Sequence, residues 1–445
     1  MRIIIAGAGE VGTYLAKMLV QENHDIVLMD QNEERLNFLN NLEIMTMVGN
    51  PASISDLIEA GVKKTDIFIG VTPEETANIT ACMLASNLGA QRTVARIINY
   101  EYLDAHNSDF FKKMGIDSLI CPELLASKEI VNAFTHPWAR QWWELGNGAL
   151  ILIAVKVREN APIANRYLSD LLIHDEKLFH IVAIKRGDET IIPGGADRIK
   201  PDDLLFFTTT PDHIYDVRQQ AGKRDSDIKN VVIIGGSRIA LKVAEIAPRD
   251  IRVKIIEVNR AKSQKIAEQM DSNVMVINDD GRNTDFLIQE NVQDCDAFIS
   301  LTENAATNIL ACLSAKSLGI PKTIAQVETI NYLALADKFD IGTIINKKMI
   351  AASHIYQFSL DADVENVKCL TFANADVAEF VARPGSKITR KQVKDFRFPS
   401  YMTLGGLIRD GKAIIIQGDT QIQANDHVMI FCMNASMHKL EDYFN

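Results

Sequence analysis

The chain contains two copies of one sequence pattern, and this internal repeat limits the possible folds more than any other feature. The segment 66–82, DIFIGVTPEETANITAC, returns 230 residues later as 296–312, DAFISLTENAATNILAC. Asn78 of the first segment therefore corresponds to Asn308 of the second. A repeat of this length indicates that both halves of the chain fold into the same kind of domain.

The first copy begins with the pattern of a nucleotide-binding α/β domain. The largely apolar run Arg2–Ala6 predicts a buried strand, and the loop 7–12, GAGEVG, follows it directly. Apolar residues at helical spacing predict a helix after this loop. A second strand then ends in Asp30, 18 residues after the last glycine. Together these features predict a Rossmann fold, which is a doubly wound parallel sheet. The apolar helix positions are Val11, Tyr14, Leu15, Met18 and Leu19.

Each glycine of this loop has a physical role in the predicted site. Gly7 permits the tight turn, Gly9 lets the backbone approach a pyrophosphate, and Gly12 lets the helix pack against the strand. The free N–H groups at the start of the helix would bind the phosphates. Asp30 would accept hydrogen bonds from ribose hydroxyls and repel a 2′-phosphate, which favours NAD(H) over NADP(H). ATP and ADP carry the same ribose and stay alternatives. The loop residues predicted to bind the ligand are Gly7, Ala8, Gly9, Glu10, Val11 and Gly12.

The second copy keeps this arrangement but changes the loop. A strand at 231–234 precedes the loop 235–240, GGSRIA, and Glu257 takes the place of Asp30. Ser237 and Ala240 stand at the second and third glycine positions. The loop therefore either binds a nucleotide more weakly than the first loop or has only a packing role. Arg238 is either a phosphate ligand, in its own or a neighbouring subunit's pocket, or a solvated surface residue. The predicted binding residues of this copy are Gly235, Gly236, Ser237, Arg238, Ile239, Glu257 and Thr302.

Further site residues follow from the rule that ligands of a doubly wound sheet lie beyond the carboxyl ends of its strands. Thr72 and Pro73 follow the predicted fourth strand, and Arg96 ends the fifth. Arg96 would pair with a phosphate or, alternatively, form an ion pair at the domain edge. The second copy has Thr302 and Gln326 at these places. The loss of the cation again favours a weaker second site.

A smaller repeated module follows each predicted Rossmann domain. The segments 186–189 (RGDE) and 409–412 (RDGK) lie between apolar runs, and both predict tight β-hairpins in which glycine supplies a positive φ. Each module is predicted to be a compact βαββ-type unit. The predicted segments are 1–120 for the first Rossmann domain, 121–149 for a crossover linker, 150–221 for the first module, 222–345 for the second Rossmann domain, 346–363 for a second linker and 364–445 for the second module.

Composition and charge narrow the classes of function. Fifty-eight acidic and 47 basic residues give a formal charge of −11, which disfavours nucleic acid and anionic lipid as direct partners. The longest apolar runs fall well short of the roughly 20 residues that span a bilayer, and the first residues do not resemble a cleavable signal. The six cysteines include no CxxC pair, so neither a disulfide framework nor a thiolate zinc site is predicted. We expect a cytoplasmic protein without a metal site.

The sequence does not supply what a dehydrogenase needs beside its nucleotide. Such an enzyme requires a substrate pocket over the nicotinamide and a positioned acid or base. The nine histidines are dispersed, and none stands at a repeat-equivalent position. We therefore predict no catalytic residues and a sensor in which hydride transfer is not required. An NAD-dependent oxidoreductase is the alternative.

In the order of its modules the chain resembles the TrkA family, the peripheral NAD-binding subunits of Trk potassium uptake systems, whose Rossmann part is called an RCK or KTN domain. The resemblance covers essentially the whole chain. It rests on the GAGEVG loop with Asp30, on Val71–Ile79, on the segment around Arg96, on Cys121–Glu123 and on the duplication of this order. It implies a homo-oligomer, commonly a tetramer, docked beneath a membrane-embedded potassium-translocating subunit. Nucleotide binding would bias that subunit between closed and open states.

The sequence departs from the family pattern after the third strand of each copy and after the second Rossmann domain. Gly49-Asn50 and Asp279-Asp280 stand where the family often has Gly-Asp, which leaves the adenine-side contacts open. Asn346-Lys347 replaces an expected Ser-Pro pair. A sensor of this kind attached to another cation transporter, such as a cation/proton antiporter, is a further alternative.

Overall fold

The computed structural model describes residues 1–37, 43–171, 178–224, 226–360, 364–370, 373–433 and 437–445. The chain divides into two compact units. The first unit consists of Met1–Leu125, Lys347–Asp361 and Ser436–Glu441, and the second consists of Ala126–Asn346, Ala362–Ala435 and Asp442–Asn445. The predicted end of the second linker, at residues 361–363, lies outside the described residues.

The first unit is built on a parallel six-stranded sheet with the strand order β3-β2-β1-β4-β5-β6. Residues Ile3–Ala6 of the central strand β1 are fully buried, as expected for a parallel sheet that helices cover on both faces. The predicted doubly wound fold is confirmed. Its elements are β1 (Arg2–Ala6), α1 (Glu10–Gln21), β2 (Asp25–Asp30), α2 (Glu33–Asn37), β3 (Met45–Val48), α3 (Ile54–Glu59), a 3-10 helix (Val62–Lys64), β4 (Ile67–Gly70), α4 (Glu75–Leu88), β5 (Arg92–Arg96), a 3-10 helix (Tyr100–Leu103), α5 (Ala105–Lys113) and β6 (Ser118–Ile120).

The first small module is a five-stranded antiparallel sheet with the order β10-β9-β11-β8-β7. Between β8 and β9 the described residues form a 3-10 helix, and residues 172–177 of this connection lie outside the described residues. The helix α7 follows the last strand. The elements are α6 (Pro122–Thr135), β7 (Gln141–Leu145), β8 (Leu150–Lys156), a 3-10 helix (Leu168–Leu171), β9 (Phe179–Arg186), β10 (Glu189–Ile191), β11 (Leu204–Thr209), a 3-10 helix (Pro211–His213) and α7 (Ile214–Gln220).

The second Rossmann sheet repeats the first, with the order β14-β13-β12-β15-β16-β17. Its strands pair in parallel from one edge to the other. The predicted duplication of the fold is therefore confirmed. The elements are β12 (Asn230–Ile234), α8 (Arg238–Ile246), β13 (Arg252–Ile256), α9 (Arg260–Gln269), β14 (Val274–Ile277), α10 (Thr284–Gln289), a 3-10 helix (Val292–Asp294), β15 (Ala297–Ser300), α11 (Ala305–Ser317), β16 (Lys322–Gln326), α12 (Ile330–Lys338) and β17 (Thr343–Ile345).

The second small module is an antiparallel sheet with the order β18-β19-β22-β20-β21. Both predicted hairpins are present, with Gly187 at φ +58° in the first module and Gly411 at φ +74° in the second. The elements are α13 (Lys347–Tyr356), a 3-10 helix (Gln357–Ser359), β18 (Val364–Leu370), β19 (Ala375–Val381), 3-10 helices (Lys387–Thr389 and Val393–Asp395), β20 (Met402–Arg409), β21 (Lys412–Ile414), β22 (His427–Met433) and α14 (His438–Phe444).

The helix that follows each Rossmann sheet packs in the unit of the other copy. Helix α13 follows the second sheet, yet it belongs to the first unit and packs against α1. Helix α6 follows the first sheet, and its part from Ala126 onward belongs to the second unit. There the Ser127 hydroxyl donates to the main-chain oxygen of Ile239 in α8 over 3.3 Å. Each Rossmann domain thus completes its packing with a helix from the other half of the chain.

A buried asparagine fixes the carboxyl ends of two neighbouring strands in each copy. The Asn78 side chain accepts hydrogen bonds from the N–H (2.8 Å) and the hydroxyl (2.7 Å) of Thr72. Its amide donates to the main-chain oxygens of Thr72 (3.0 Å) and Arg96 (2.9 Å). Asn308 makes the equivalent bonds to Thr302 and Gln326. This asparagine therefore holds the end of β5 and the loop after β4 in register.

Replacing this asparagine should destabilise the first Rossmann domain. In Asn78→Ala, buried main-chain groups lose their partners, which we expect to cost about 2–4 kcal/mol of unfolding free energy. The measurement is thermal unfolding of the full chain, with a decrease of roughly 5–10 °C in the melting temperature of that domain. The matched control is Asn87→Ala on the exposed face of the same helix, where the side-chain amide donates to the main-chain oxygen of Met83. Equal melting temperatures for the two variants would contradict this role of Asn78.

Candidate functional site

The glycine-rich loop of the first copy lies between β1 and α1, and its three glycines face different surroundings. Gly7 has φ +116°, and a Cβ there would be 2.8 Å from the N atom of Thr72. A Cβ on Gly12 would be 1.9 Å from the main-chain oxygen of Gly7. A Cβ on Gly9 would have no described atom within 4 Å. Gly7 and Gly12 are thus required by the turn itself, whereas Gly9 borders open space.

The first turn of α1 has no side-chain cap within the described residues. Gly9 occupies the N-cap position in an extended conformation, and it has no side chain that could accept from the helix. Glu10 is exposed at the first helical position, while Ala8 and Val11 are buried. A helix terminus with free N–H groups and an exposed loop attracts an anion through hydrogen bonds and the helix dipole.

Asp30 ends β2 with a buried carboxylate, only 8% exposed. Its Oδ2 accepts from the N–H of Ala8 over 2.7 Å, and its Oδ1 accepts from the N–H of Asn32 over 2.9 Å. The guanidinium of Arg35 lies 3.7 Å from Oδ2. The aspartate therefore connects the glycine-rich loop to the start of α2.

A cleft of about 710 Å³ opens between the glycine-rich loop, the end of β2 and the loop after β4. Gly7, Asp30, Thr72 and Pro73 line it, which brings together four of the residues predicted from the sequence. The other predicted loop residues, Ala8 to Gly12, and Arg96 are not among its lining residues. Other lining residues were not predicted, because Arg35 and its neighbours follow Asp30 without any repeated or glycine-rich pattern. The remaining lining residues are Met29, Gln31, Asn32, Glu33, Glu34, Arg35, Pro51, Glu74 and Ala77.

Arg96 forms the ion pair that the sequence left as its alternative role. Its Nη2 lies 3.2 Å from Oε1 of Glu123, and both side chains are largely buried. Lys347 at the start of α13 approaches the same oxygen at 3.7 Å. The Nε of Arg96 is buried and has no hydrogen-bond partner among the described residues. One carboxylate therefore faces two cations at the carboxyl end of the first sheet.

Glu10 of α1 is paired with Lys348, which follows Lys347 in helix α13. The Lys348 ammonium lies 2.9 Å from Oε1 of Glu10, with the lysine side chain only 11% exposed. Consecutive lysines of α13 thus contact the glycine-rich loop at Glu10 and the partner of Arg96 at Glu123. The sequence did not predict either contact, because more than 200 residues separate the lysines from these acids.

The loop of the second copy is closed by its own side chains. Gly235 keeps the positive φ, +90°. The Ser237 hydroxyl accepts from the N–H of Ala240 over 3.3 Å and so caps the helix, a bond that Gly9 cannot make. A Cβ on Gly236 would be 2.4 Å from the Ile266 side chain, which crowds the loop. Arg238 is exposed at the first helical position.

Glu257 holds the second loop as Asp30 holds the first. It accepts from the N–H of Gly236 (2.8 Å) and of Asn259 (2.9 Å), and Lys262 lies 2.9 Å from it. Burial alone would raise the pKa of Glu257, but the hydrogen bonds from Asn259, Lys262 and Gly236 together lower it below its ordinary value. The carboxylate is therefore ionised and paired with a cation of its own chain. At the end of β16, Gln326 donates to Glu328 over 2.9 Å, where the first copy has Arg96.

Known sequence families match nearly the whole chain. Residues 3–122 and 231–347 match the TrkA-N domain, and residues 152–222 and 377–445 match the TrkA-C domain. The chain is 31% identical to the Trk system potassium uptake protein TrkA of Vibrio alginolyticus, over 98% of this chain and 96% of the relative. It is 30% identical to TrkA of Halomonas elongata, over 98% and 96% respectively.

Solved structures of low sequence identity share the fold. The GsuK RCK domain superposes with a TM-score of 0.63 at 14% identity, over 100% of this chain and 94% of that one. The GsuK channel bound to NAD gives 0.61 at 14% identity, over 100% and 78%. The GsuK channel bound to ADP gives 0.51 at 12% identity, over 80% and 68%. Within the described part of the chain, no helix has both the length and the apolar character needed to cross a bilayer.

Two substitutions in the first glycine-rich loop should show that an added Cβ destabilises the fold at Gly12 but not at Gly9. Gly12→Ala forces a Cβ against the Gly7 carbonyl, and we expect a loss of about 1–3 kcal/mol of unfolding free energy. Gly9→Ala is the matched control, since its Cβ enters open space at a backbone conformation that alanine adopts. Its cost should stay below about 1 kcal/mol. Thermal unfolding measures both, and a Gly12→Ala protein as stable as the wild type would rule out this close contact.

Proposed function

Because the chain belongs to the TrkA family, we propose that it is the nucleotide-sensing regulatory subunit of a membrane potassium uptake system. The observation that carries the proposal is the cleft of the first Rossmann domain, where Gly7 at the head of the glycine-rich loop and Asp30 line one cavity. We propose potassium as the transported ion because the relatives are named potassium uptake proteins. The identity of the ligand, the gating step and the membrane partner are parts of this proposal.

The ligand proposed for the first cleft is an adenine nucleotide, with NAD(H) preferred and ATP or ADP as the alternatives. The phosphates would lie at the N–H groups of Gly9–Val11, and the ribose hydroxyls would donate to Asp30. Three further carboxylates, Glu33, Glu34 and Glu74, line the cleft, and Arg35 is the one cation among its described lining residues. This negative balance disfavours the additional 2′-phosphate of NADP(H). The related folds bound to NAD and to ADP are consistent with this choice.

The second cleft is proposed to be the weaker site. Ser237 already accepts one of the helix N–H groups that a phosphate would need, and Lys262 neutralises Glu257. Gln326 replaces the cation Arg96. A phosphate there would depend on Arg238, whose side chain is exposed at the start of α8. The duplication thus leaves one copy open for a ligand and the other closed by its own contacts.

The proposed gating step is a change in the contacts of α13. A phosphate at the start of α1 would compete with Glu10 for Lys348, since both are anions beside the same ammonium. The same phosphate would attract Arg96 away from Glu123, which would then hold Lys347 alone. Because α13 comes from the second half of the chain, ligand binding in the first half would alter a connection between the halves. The ligand can shift the equilibrium between two conformations of the chain only by the difference in its binding free energy for the two. This coupling free energy is typically about 1–3 kcal/mol.

The partners follow from the same proposal. A membrane-embedded potassium-translocating subunit would hold this chain at the cytoplasmic face of the membrane. Several copies, in the family commonly four, would form a symmetric homo-oligomer that acts on a symmetric partner. The formal charge of −11 would keep the chain itself off anionic lipid and nucleic acid.

Nucleotide binding should depend on Gly9. In Gly9→Val the larger side chain fills the open space beside the loop and keeps a pyrophosphate away from the backbone, so calorimetry should show loss of the tighter site for NADH and ADP. Wild-type protein at a ligand concentration about 100-fold above its dissociation constant should gain about 2.7 kcal/mol, a melting shift of a few degrees. Arg238→Ala is the control, because it should weaken only the second site, by at least about tenfold. Tight binding that survives Gly9→Val would refute the proposed phosphate position.

Potassium uptake should depend on the contact between Lys348 and Glu10. We expect cells that lack this chain to take up potassium, or rubidium as its tracer, more slowly, and the wild-type gene to restore the rate. Lys348→Ala should bind nucleotide within about tenfold of wild type, a difference of up to 1.4 kcal/mol, yet restore less than half of the uptake. Lys17→Ala, which removes an exposed lysine of α1, should restore uptake fully. If Lys348→Ala behaves like Lys17→Ala, α13 does not transmit the signal.

A further inference from the structure

The last small module contains a cluster of side chains that neither the nucleotide cleft nor its duplicate uses. Glu365 of β18, Glu379 of β19 and His427 of β22 each place one possible ligand atom within 4.8 Å of the other two. The three residues lie far apart in sequence, which is why no spacing pattern revealed them. All of them belong to the second unit. We propose that this cluster is a binding site for one divalent transition-metal ion of the Zn²⁺ type.

The distances within the cluster suit a shared ion better than an ion pair. Nδ1 of His427 lies 3.2 Å from Oε1 of Glu379 and 3.3 Å from Oε2 of Glu365. Hydrogen bonds between a charged N–H and a carboxylate are usually shorter, about 2.7–2.9 Å, so both contacts are long for a direct ion pair. Ligands at about 2.0–2.1 Å from a tetrahedral ion are separated by roughly 3.3 Å. The two observed separations match that edge length.

A β-bulge brings Glu365 into the cluster. Val364 pairs with Phe380 and Asn366 pairs with Glu379, so Glu365 is the extra residue of the irregular stretch. In a regular strand Glu365 and Asn366 would point to opposite faces of the sheet. A bulge redirects a side chain in this way and is frequent beside functional sites. The irregular backbone therefore places a third donor next to the two on β19 and β22.

Glu379 is an unusual residue at its position. Its side chain is only 1% exposed, although it stands inside the strand β19. In the second module Val381 pairs with His427, and in the first module Lys156 pairs with Leu204 at the same place in the sheet. Counting two residues back along each strand, Ala154 is the counterpart of Glu379. A buried carboxylate costs free energy unless a cation or hydrogen bonds compensate it. The same fold is therefore built without these donors in the first module.

The surroundings of the cluster suit the coordination of an ion. The Asn366 amide donates to Oε2 of Glu379 over 2.6 Å, which leaves Oε1 facing the cluster. Such outer contacts orient metal-binding carboxylates. The Glu365 and His427 side chains are 51% and 31% exposed, so water has access to the remaining coordination positions. One imidazole and two carboxylates favour Zn²⁺ or a similar transition metal over Mg²⁺ and Ca²⁺, which prefer oxygen ligands only.

An ion at this place would fasten an edge strand. β18 is the outermost strand on its side of the sheet and pairs only with β19 among the described strands. Glu365 is its contribution, while the other two ligands come from the neighbouring strands. Binding would therefore tie β18 to the interior of the sheet and stabilise the second small module specifically, by an amount set by metal concentration.

The test measures metal binding by the full-length protein after treatment with a chelator. Calorimetry with Zn²⁺ alone should show one site per chain that tolerates excess Mg²⁺, and Co²⁺ should give visible absorption from coordinated cobalt. His427→Ala should weaken Zn²⁺ binding at least 100-fold, and Glu365→Gln at least tenfold. Asn366→Ala should weaken it about tenfold, as outer-contact changes usually do. Glu365 and His427 are partly exposed, so these variants should fold even if Glu379→Gln does not.

A second histidine and carboxylate pair in the chain provides the matched control. His213 Nδ1 lies 3.0 Å from Asp216 on a surface turn, without a third donor within the described residues. His213→Ala should leave the Zn²⁺ affinity within twofold of wild type and should keep the increase in melting temperature that Zn²⁺ causes. Zn²⁺ binding that is equally strong in His427→Ala and Glu365→Gln would overturn the proposal. Absence of any Zn²⁺ effect on the melting temperature would show an ion pair and nothing more.

Discussion

The close approach of Gly12 to the carbonyl oxygen of Gly7 is the steric constraint on which the cleft of the first Rossmann domain depends. It sets where α1 starts and how near its first N–H groups lie to the end of β1. In the second copy, Ala240 stands at this place and carries the Cβ that Gly12 lacks. Ser237 then supplies the helix cap that a ligand would otherwise supply. The methyl group of Ala240 and the hydroxyl of Ser237 thus distinguish the second loop, which caps its own helix, from the first.

The parts of the structure governed by local pattern could be predicted from the sequence. The duplicated Rossmann order, the hairpins at Gly187 and Gly411 and the position of Asp30 follow from periodicity, glycine chemistry and spacing. Inside the first small module, periodicity did not reveal the 3-10 helix Leu168–Leu171 between β8 and β9, because a single turn is too short to show a repeat.

Contacts between distant segments could not be predicted, because no pattern along the chain specifies them. Arg96 lies at the predicted strand end, but only the fold reveals Glu123 as its partner and Lys347 beside it. The pair of Lys348 and Glu10 likewise joins residues from opposite halves. The cluster at His427 depends on a bulge, which a regular strand pattern does not contain. Strand register and helix exchange, rather than composition, determine these electrostatic neighbours.

The exchange of α6 and α13 means that neither copy can complete its packing alone. A single copy would leave the face of α1 that α13 covers exposed, unless a second polypeptide supplied that helix. With both copies in one chain, this packing does not depend on protein concentration. A chain divided near residues 222–229 would have to pair its two fragments to cover the same face.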